Sequence, residues 1–204
     1  MGSAPQSSTL FLVRHGETEW HAENRYAGVS DVALTRTGRD QAERLGRWAR
    51  GADVDAVWAS PLSRSRATAA PAASVLGLPI AIDGDLTEVD FGAAEGRTLA
   101  ELPRAEVDAF LADPVANAFP GAEDPRKAVE RGTAALRRIA FRHHGERVLV
   151  VAHNTLLRLT LCGLLGIDPS RYRTVFPRIH NCAVTEVRIT GTDTALLSYN
   201  VPIP

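Results

Sequence analysis

Short apolar runs alternate along this chain with longer stretches in which apolar residues recur every three or four positions. Thr9 to Val13 (Thr-Leu-Phe-Leu-Val) has no polar alternation, the pattern of a strand covered on both faces. From Thr35 to Ala49 the period lengthens. Ala42, Leu45, Trp48 and Ala49 make an apolar stripe between arginines and acids, and Thr35 is placed to cap a helix start. Asp55 to Ala59 predicts a second buried strand, Arg64 to Leu76 a second helix stopped at Gly77-Leu78-Pro79, and Pro79 to Ile82 a third strand. Arg147 to Ala152 is the clearest buried strand, with a helix from Pro125 to His143 before it and one from Thr155 to Leu165 after it. Asn181 to Ile189 and Thr194 to Tyr199 predict two final strands, paired as a hairpin across the turn at Gly191. The first eight residues read as a flexible lead and residues 9–204 as one domain.

Residues 84–125 break this rhythm. They hold Gly84, Gly92, Gly96, Pro103, Pro114, Pro120 and Gly121 with one or two short helices between, which predicts a cap over a binding face. Strands alternating with helices predict an α/β fold, a three-layer α/β/α sandwich on a mostly parallel sheet.

Composition narrows the function classes. With 45% hydrophobic and 23% charged residues among 204, the chain can bury a sizeable core. Its longest apolar run is far short of the roughly 20 residues that cross a bilayer. The net charge of −1 gives no general pull toward nucleic acid or an anionic membrane, so neither is an expected partner. All but one of the 23 basic residues are arginine, Lys127 being the exception, which reads mainly as codon bias. Cys162 and Cys182 form neither a disulfide framework nor a metal-ligand spacing, and Cys162 sits in an apolar helical stretch as a small core residue. With no basic region followed by an apolar run at the N-terminus, the expected compartment is the cytoplasm. His143-His144 before Gly145 reads as a solvated helix end, not a metal site, and His180 as structural.

In parallel sheets ligands bind beyond the carboxyl ends of the strands. Arg14 and His15 follow the first predicted strand, Arg64 comes shortly after the second, and His153 follows the Val148–Ala152 run. These four are expected to meet at one sheet edge. Two arginines and two histidines there, without clustered carboxylates, suit an oxyanion: guanidinium matches phosphate in a fork, and a neutral imidazole is a nucleophile. Neighbouring cations should hold one histidine neutral. A carboxyl group is then needed to protonate a leaving group.

The segment Leu12-Val13-Arg14-His15-Gly16-Glu17-Thr18, followed by Glu19-Trp20 and Glu23-Asn24-Arg25-Tyr26, resembles the signature of the histidine phosphatase superfamily, the phosphoglycerate-mutase-like proteins. Ser60-Pro61-Leu62-Ser63-Arg64-Ser65-Arg66-Ala67-Thr68 is similar to the second family motif, Leu86-Thr87-Glu88-Val89-Asp90-Phe91-Gly92 to the third, and Val150-Val151-Ala152-His153 to the fourth. The resemblance spans about residues 10 to 190. It implies that His15 attacks phosphorus and becomes phosphohistidine, that Arg14, Arg64 and His153 hold the phosphoryl oxygens, and that Glu88 protonates the leaving oxygen, with Glu95 and Asp90 as rivals. It places Thr18 and Asn24 near the pocket and implies no metal and no organic cofactor.

The family usually has asparagine where His21 stands, and an imidazole N–H could replace that amide. Asn154 takes the place of the usual glycine after the second histidine, which either restricts that backbone or turns its amide toward a ligand. Ala94 replaces a common aromatic, and Phe119-Pro120-Gly121-Ala122-Glu123-Asp124 resembles a further family segment in which Glu123 is a site candidate. Three functional readings follow: a phosphatase, a phosphoglycerate-type mutase, and a non-catalytic binder of a phosphorylated ligand. The chain favours the phosphatase. Little of it follows the last predicted strand to close over the site, and residues 98–125 set six acids against Arg104 alone, an unfavourable wall for a bisphosphate. The expected partner is a small phosphorylated metabolite such as a sugar phosphate, with self-association as a homodimer left open.

Overall fold

The computed structural model describes residues 7–203; most of the expected N-terminal lead, residues 1–6, lies outside them. Six strands form one sheet: β1 (Ser7–Arg14), β2 (Ala56–Ala59), β3 (Ile80–Ile82), β4 (Arg147–Ala152), β5 (Val184–Thr190) and β6 (Asp193–Val201). Their order is β3-β2-β4-β1-β5-β6. The first four in that order are parallel, while β5 runs antiparallel to β1 and β6 antiparallel to β5. Ser7 and Ser8, expected in the lead, belong instead to β1. They pair with Thr190 and Ile189, and the Ser8 hydroxyl reaches the Ala140 carbonyl at 2.7 Å. Long-range pairing overrides the turn-forming habit of serine.

The helices are α1 (Arg36–Gly51), α2 (Ser63–Leu76), α3 (Arg104–Ala112), α4 (Pro125–Arg142), α5 (Asn154–Leu165) and the short α6 (Tyr172–Val175). Thr35 caps α1 by accepting the Gly38 N–H, and α2 ends on Gly77 in the left-handed conformation, which glycine adopts without a Cβ penalty. Alternation along the central strands divides the core in two. Phe11, Val13, Leu149 and Val151 face α1 and α2, while Leu10, Leu12, Val148 and Val150 face α4 and α5. This is the expected three-layer arrangement. Cys162 is buried in the second of these layers.

Between β3 and α4 the chain makes several 3-10 turns and α3. Here Phe91, Phe110 and Phe119 gather around Tyr26, with Phe110 and Phe119 stacked at 4.3 Å. The helix α6 and the loop after it were not expected from the sequence. His143 is half-buried rather than solvated: it closes the end of α4 between Glu146, 2.6 Å from its Nδ1, and the Trp58 indole N–H, 3.0 Å from its Nε2. No helix among the described residues is long and apolar enough to cross a membrane.

Candidate active site

Strand order brings the candidate residues together. Arg14 lies opposite Ala152 in the parallel pair of β1 and β4, so both chains leave the sheet at the same edge. The His15 N–H donates to the Ala152 carbonyl at 3.0 Å and the Ser60 N–H to the Val151 carbonyl at 3.1 Å, which ties the ends of β1, β2 and β4. The turn after His15 rests on the first turn of α1. A Cβ on Gly38 would stand 2.1 Å from the Glu17 carbonyl oxygen, and one on Gly16 2.6 Å from that of Gly38. Gly38→Ala should therefore cost about 1–3 kcal/mol of stability. Gly51→Ala, with nothing within 4 Å, should be neutral or stabilising by up to about 1 kcal/mol. Thermal melts of the two variants side by side check this, and equal melting temperatures would refute the close approach.

His15 is buried, with Nδ1 2.8 Å from the Gly16 carbonyl oxygen. A carbonyl only accepts, so Nδ1 carries the hydrogen and the lone pair of Nε2 is left free. Burial first, then the charges of Arg14 and Arg64, hold the ring well below the ordinary histidine range. The ring is therefore neutral at pH 7. Arg14 donates through Nη1 to the Ile179 carbonyl at 2.9 Å, and its Nη2 lies 2.8 Å from His21 Nε2. Burial lowers its pKa to about 10, so it stays cationic at neutral pH.

His21 stands between these groups. Its Nδ1 accepts the Thr18 N–H at 3.0 Å and lies 2.9 Å from Thr18 Oγ1, while Nε2 faces Arg14 Nη2 and, at 3.2 Å, Asn181 Nδ2. An imidazolium would aim an N–H at the Arg14 guanidinium. With burial as the larger cause, this holds His21 down to about 4.

Arg64 and His153 are wholly buried and do not line the cavity that His15 and Arg14 open onto. The two Nη atoms of Arg64 are spent on the carbonyls of Ala27, Gly28 and Ser30, which pins that loop and leaves only Nε without a partner. His153 packs 5.2 Å from the His15 ring, ring centre to ring centre. Its Nε2 meets the Ser60 hydroxyl at 2.8 Å, and its buried Nδ1 is unpartnered. Burial and the surrounding cations hold this ring well below the usual range too. Arg14 Nε, Arg64 Nε, His153 Nδ1 and Asn154 Oδ1 are all buried polar atoms lacking a partner, where such atoms are ordinarily satisfied.

Glu88 lines the cavity, and its rivals do not. The Glu95 carboxylate holds the Ser30 hydroxyl and the Val29 N–H, and Asp90 accepts the Gly92 N–H. Glu88 Oε1 accepts from the N–H groups of Val89 and Leu156, and Oε2 from that of Thr155 at 3.0 Å. The carboxylate thus caps α5 from outside its own segment, a place the His153 side chain does not fill. Thr18, His21, Asn24 and Asn154 line the cavity, with Asn24 at a φ of 60°.

Glu123 does not line it. It pairs with Arg131 at 2.7 and 2.8 Å, and Arg131 in turn holds the carbonyls of Asp85 and Thr87. Glu123 therefore steadies the segment that carries Glu88. The acids of residues 98–125 turn away as well. Glu101 pairs with Arg25 and Asp108 with Arg104, Asp113 and Asp124 accept backbone N–H groups, and none of the six lines the cavity. The expected acidic wall is absent.

Among the cavity residues that sequence reasoning missed are Asn181 and three arginines. Asn181 donates from Nδ2 to the His15 carbonyl at 2.7 Å, and Arg158, Arg173 and Arg178 line the cavity as well. Arg158 could have been found, because it lies one helical turn beyond Asn154. Arg173 and Arg178 sit on α6 and the loop after it, where no periodicity marks a face.

Residues 10–202 match the family model described as "Histidine phosphatase superfamily (branch 1)". The chain is 30% identical over 194 residues to "Uncharacterized phosphatase PhoE" of Bacillus subtilis (strain 168), covering 95% of each chain. It is 33% identical over 181 residues to "Probable phosphoglycerate mutase GpmB" of Citrobacter koseri, covering 87% of this chain and 83% of that one. Among solved structures, Bacillus stearothermophilus YhfR superposes with a TM-score of 0.88 at 28% identity, covering 95% of this chain and 97% of that chain.

Proposed function

The chain belongs to the histidine phosphatase superfamily, branch 1, and on that premise we propose that it is a phosphatase that hydrolyses a small phosphomonoester through a phosphohistidine on His15, without a metal ion. One observation carries this reading: a buried, neutral His15 with Nε2 free, beside a buried Arg14 and the buried, unpartnered Arg64 Nε and His153 Nδ1. His15 Nε2 attacks phosphorus, and the bond from phosphorus to the ester oxygen breaks. Glu88 gives that oxygen its proton; Oε2 carries a single hydrogen bond and so has room for one. Water then attacks the phosphohistidine, Glu88 takes a proton from it, and inorganic phosphate leaves with His15 neutral again. Arg14 balances the phosphoryl charge throughout.

Water access favours hydrolysis over return of the phosphoryl group to a second hydroxyl. The cavity is about 900 Å³, and no described residue after Asn181 lines it. The test is phosphate release from a panel of phosphomonoesters in EDTA, run beside an assay for 3- to 2-phosphoglycerate conversion with bisphosphoglycerate. Release in EDTA from several monoesters supports the reading; isomerisation with little release would favour the mutase.

Glu88→Gln should slow alkyl phosphates by roughly 10²-fold while sparing p-nitrophenyl phosphate, whose leaving group needs no proton. Equal loss on both esters would point to a broken α5 cap, because Gln cannot accept from Leu156 and Thr155 in the same way.

A further inference from the structure

We propose that the substrate carries a second anionic group, a carboxylate or another phosphate, and that Arg158, Arg173 and Arg178 receive it within the cavity that His15 opens onto; this rests on the phosphomonoester reading above. The three come from α5, α6 and the loop after α6, and all three line the cavity. None has a carboxylate within 4 Å among the described residues, whereas Arg25, which also lines the cavity, is paired with Glu23 and Glu101. The two carboxylates that line the cavity are engaged elsewhere. Glu17 accepts the Thr35 hydroxyl at 2.8 Å, and Glu88 caps α5.

Arg158 makes the argument strongest. It is only 7% exposed, and a buried charge is ordinarily paired. Here the guanidinium lies 4.8 Å over the Tyr172 ring, with Nε donating to the Asn154 carbonyl at 3.2 Å and Nη1 making two long contacts of 3.4 Å to carbonyls. Nη2 has no protein partner. Arg173 is steadied similarly, 5.4 Å over the Phe110 ring. Stacking on an aromatic face fixes a guanidinium in a plane and leaves its N–H edge for a ligand. A cavity of about 900 Å³ is also far larger than a phosphoryl group needs, lying toward the upper end for small-molecule sites. Four arginines lining one cavity without carboxylate partners, Arg14 included, exceed the demand of one phosphoryl group.

The test measures binding and turnover separately. Calorimetry on the His15→Ala protein compares 3-phosphoglycerate with glycerol 1-phosphate, which differ by a carboxylate, and fructose 1,6-bisphosphate with fructose 6-phosphate, which differ by a phosphate. At least one doubly anionic member should bind about tenfold tighter or more than its partner. The pair showing the difference identifies the second group. Arg158→Gln and Arg173→Ala, each on the His15→Ala background, should shrink that ratio to within about threefold. Equal affinities within both pairs, or a ratio unmoved by both substitutions, would overturn the inference. If wild-type protein releases no phosphate from any of these esters, the phosphatase reading fails while the binding ratio still decides this one.

Discussion

His15→Ala should lower phosphate release by at least about 10³-fold, with the fold intact by circular dichroism. The size of the loss follows from the site's construction. No other imidazole can take over: His153 is fully buried with Nε2 on the Ser60 hydroxyl, and His21 Nε2 is held by Arg14 and Asn181. A direct attack by water would still enjoy the guanidinium charge, so a small residual rate is expected. The substitution removes a side chain whose protein hydrogen bond runs to its own neighbour, the Gly16 carbonyl, so little of the fold depends on it. Retention of more than about a tenth of the activity would move the nucleophile elsewhere. Quenching wild type with alkaline denaturant during turnover should also trap a phosphoryl group that is labile in acid and stable in base, and His15→Ala should trap none.

The second large effect is on stability in mild acid. His15, His21 and His153 are neutral in the folded protein, with pKa values pushed below the ordinary range by burial and by neighbouring arginines. In the unfolded chain they titrate near about 6.5. Below that pH the unfolded chain therefore binds more protons than the folded one, and stability falls as pH falls. It is retained in full above about 7. Each histidine contributes slightly more than about 1 kcal/mol per pH unit, or about 4 kcal/mol for the three together. His21 stops contributing near about 4. Between pH 6.5 and 5 the loss is at most about 5 kcal/mol, a large part of the stability of an ordinary domain. Urea unfolding at pH 7.5, 6 and 5 measures this, and His21→Asn should remove about a third of the slope. A midpoint that stays level from pH 7.5 to 5 would mean that these rings are charged in the folded state.

Much of this arrangement is legible in the residues. Uninterrupted apolar runs marked β1, β2 and β4, and the cap at Thr35 and the stop at Gly77 bounded their helices, because those signals act within a few residues. The meeting of Arg14, His15, Arg64 and His153 at one edge followed from strand–helix alternation. What escaped depends on the direction of side chains across long separations. The acids of residues 98–125 promised an anionic wall, yet none lines the cavity and five of the six find partners elsewhere, and the basic lining comes from Arg158, Arg173 and Arg178 instead. Glu88 could be picked out by its motif. Its second task, closing the start of a helix more than sixty positions away, has no local trace. Glu123 looked like a ligand contact and is a brace, since Arg131 reaches it first.

The placement of β1 has a consequence for how the protein is made. β1 lies between β4 and β5 and takes hydrogen bonds from both, while its neighbours in the chain, α1 and β2, give its backbone none. Loop closures of this length are slow to form, and synthesis runs from the N-terminus. As the chain emerges from the ribosome, α1, β2 and α2 can gather early, but residues 7–14 must wait for residues 147–152 and then 184–190. A nascent chain stalled before β5 would hold its nucleophile on a strand paired along one side only. His15 is synthesised well before the two strands that lock it in place.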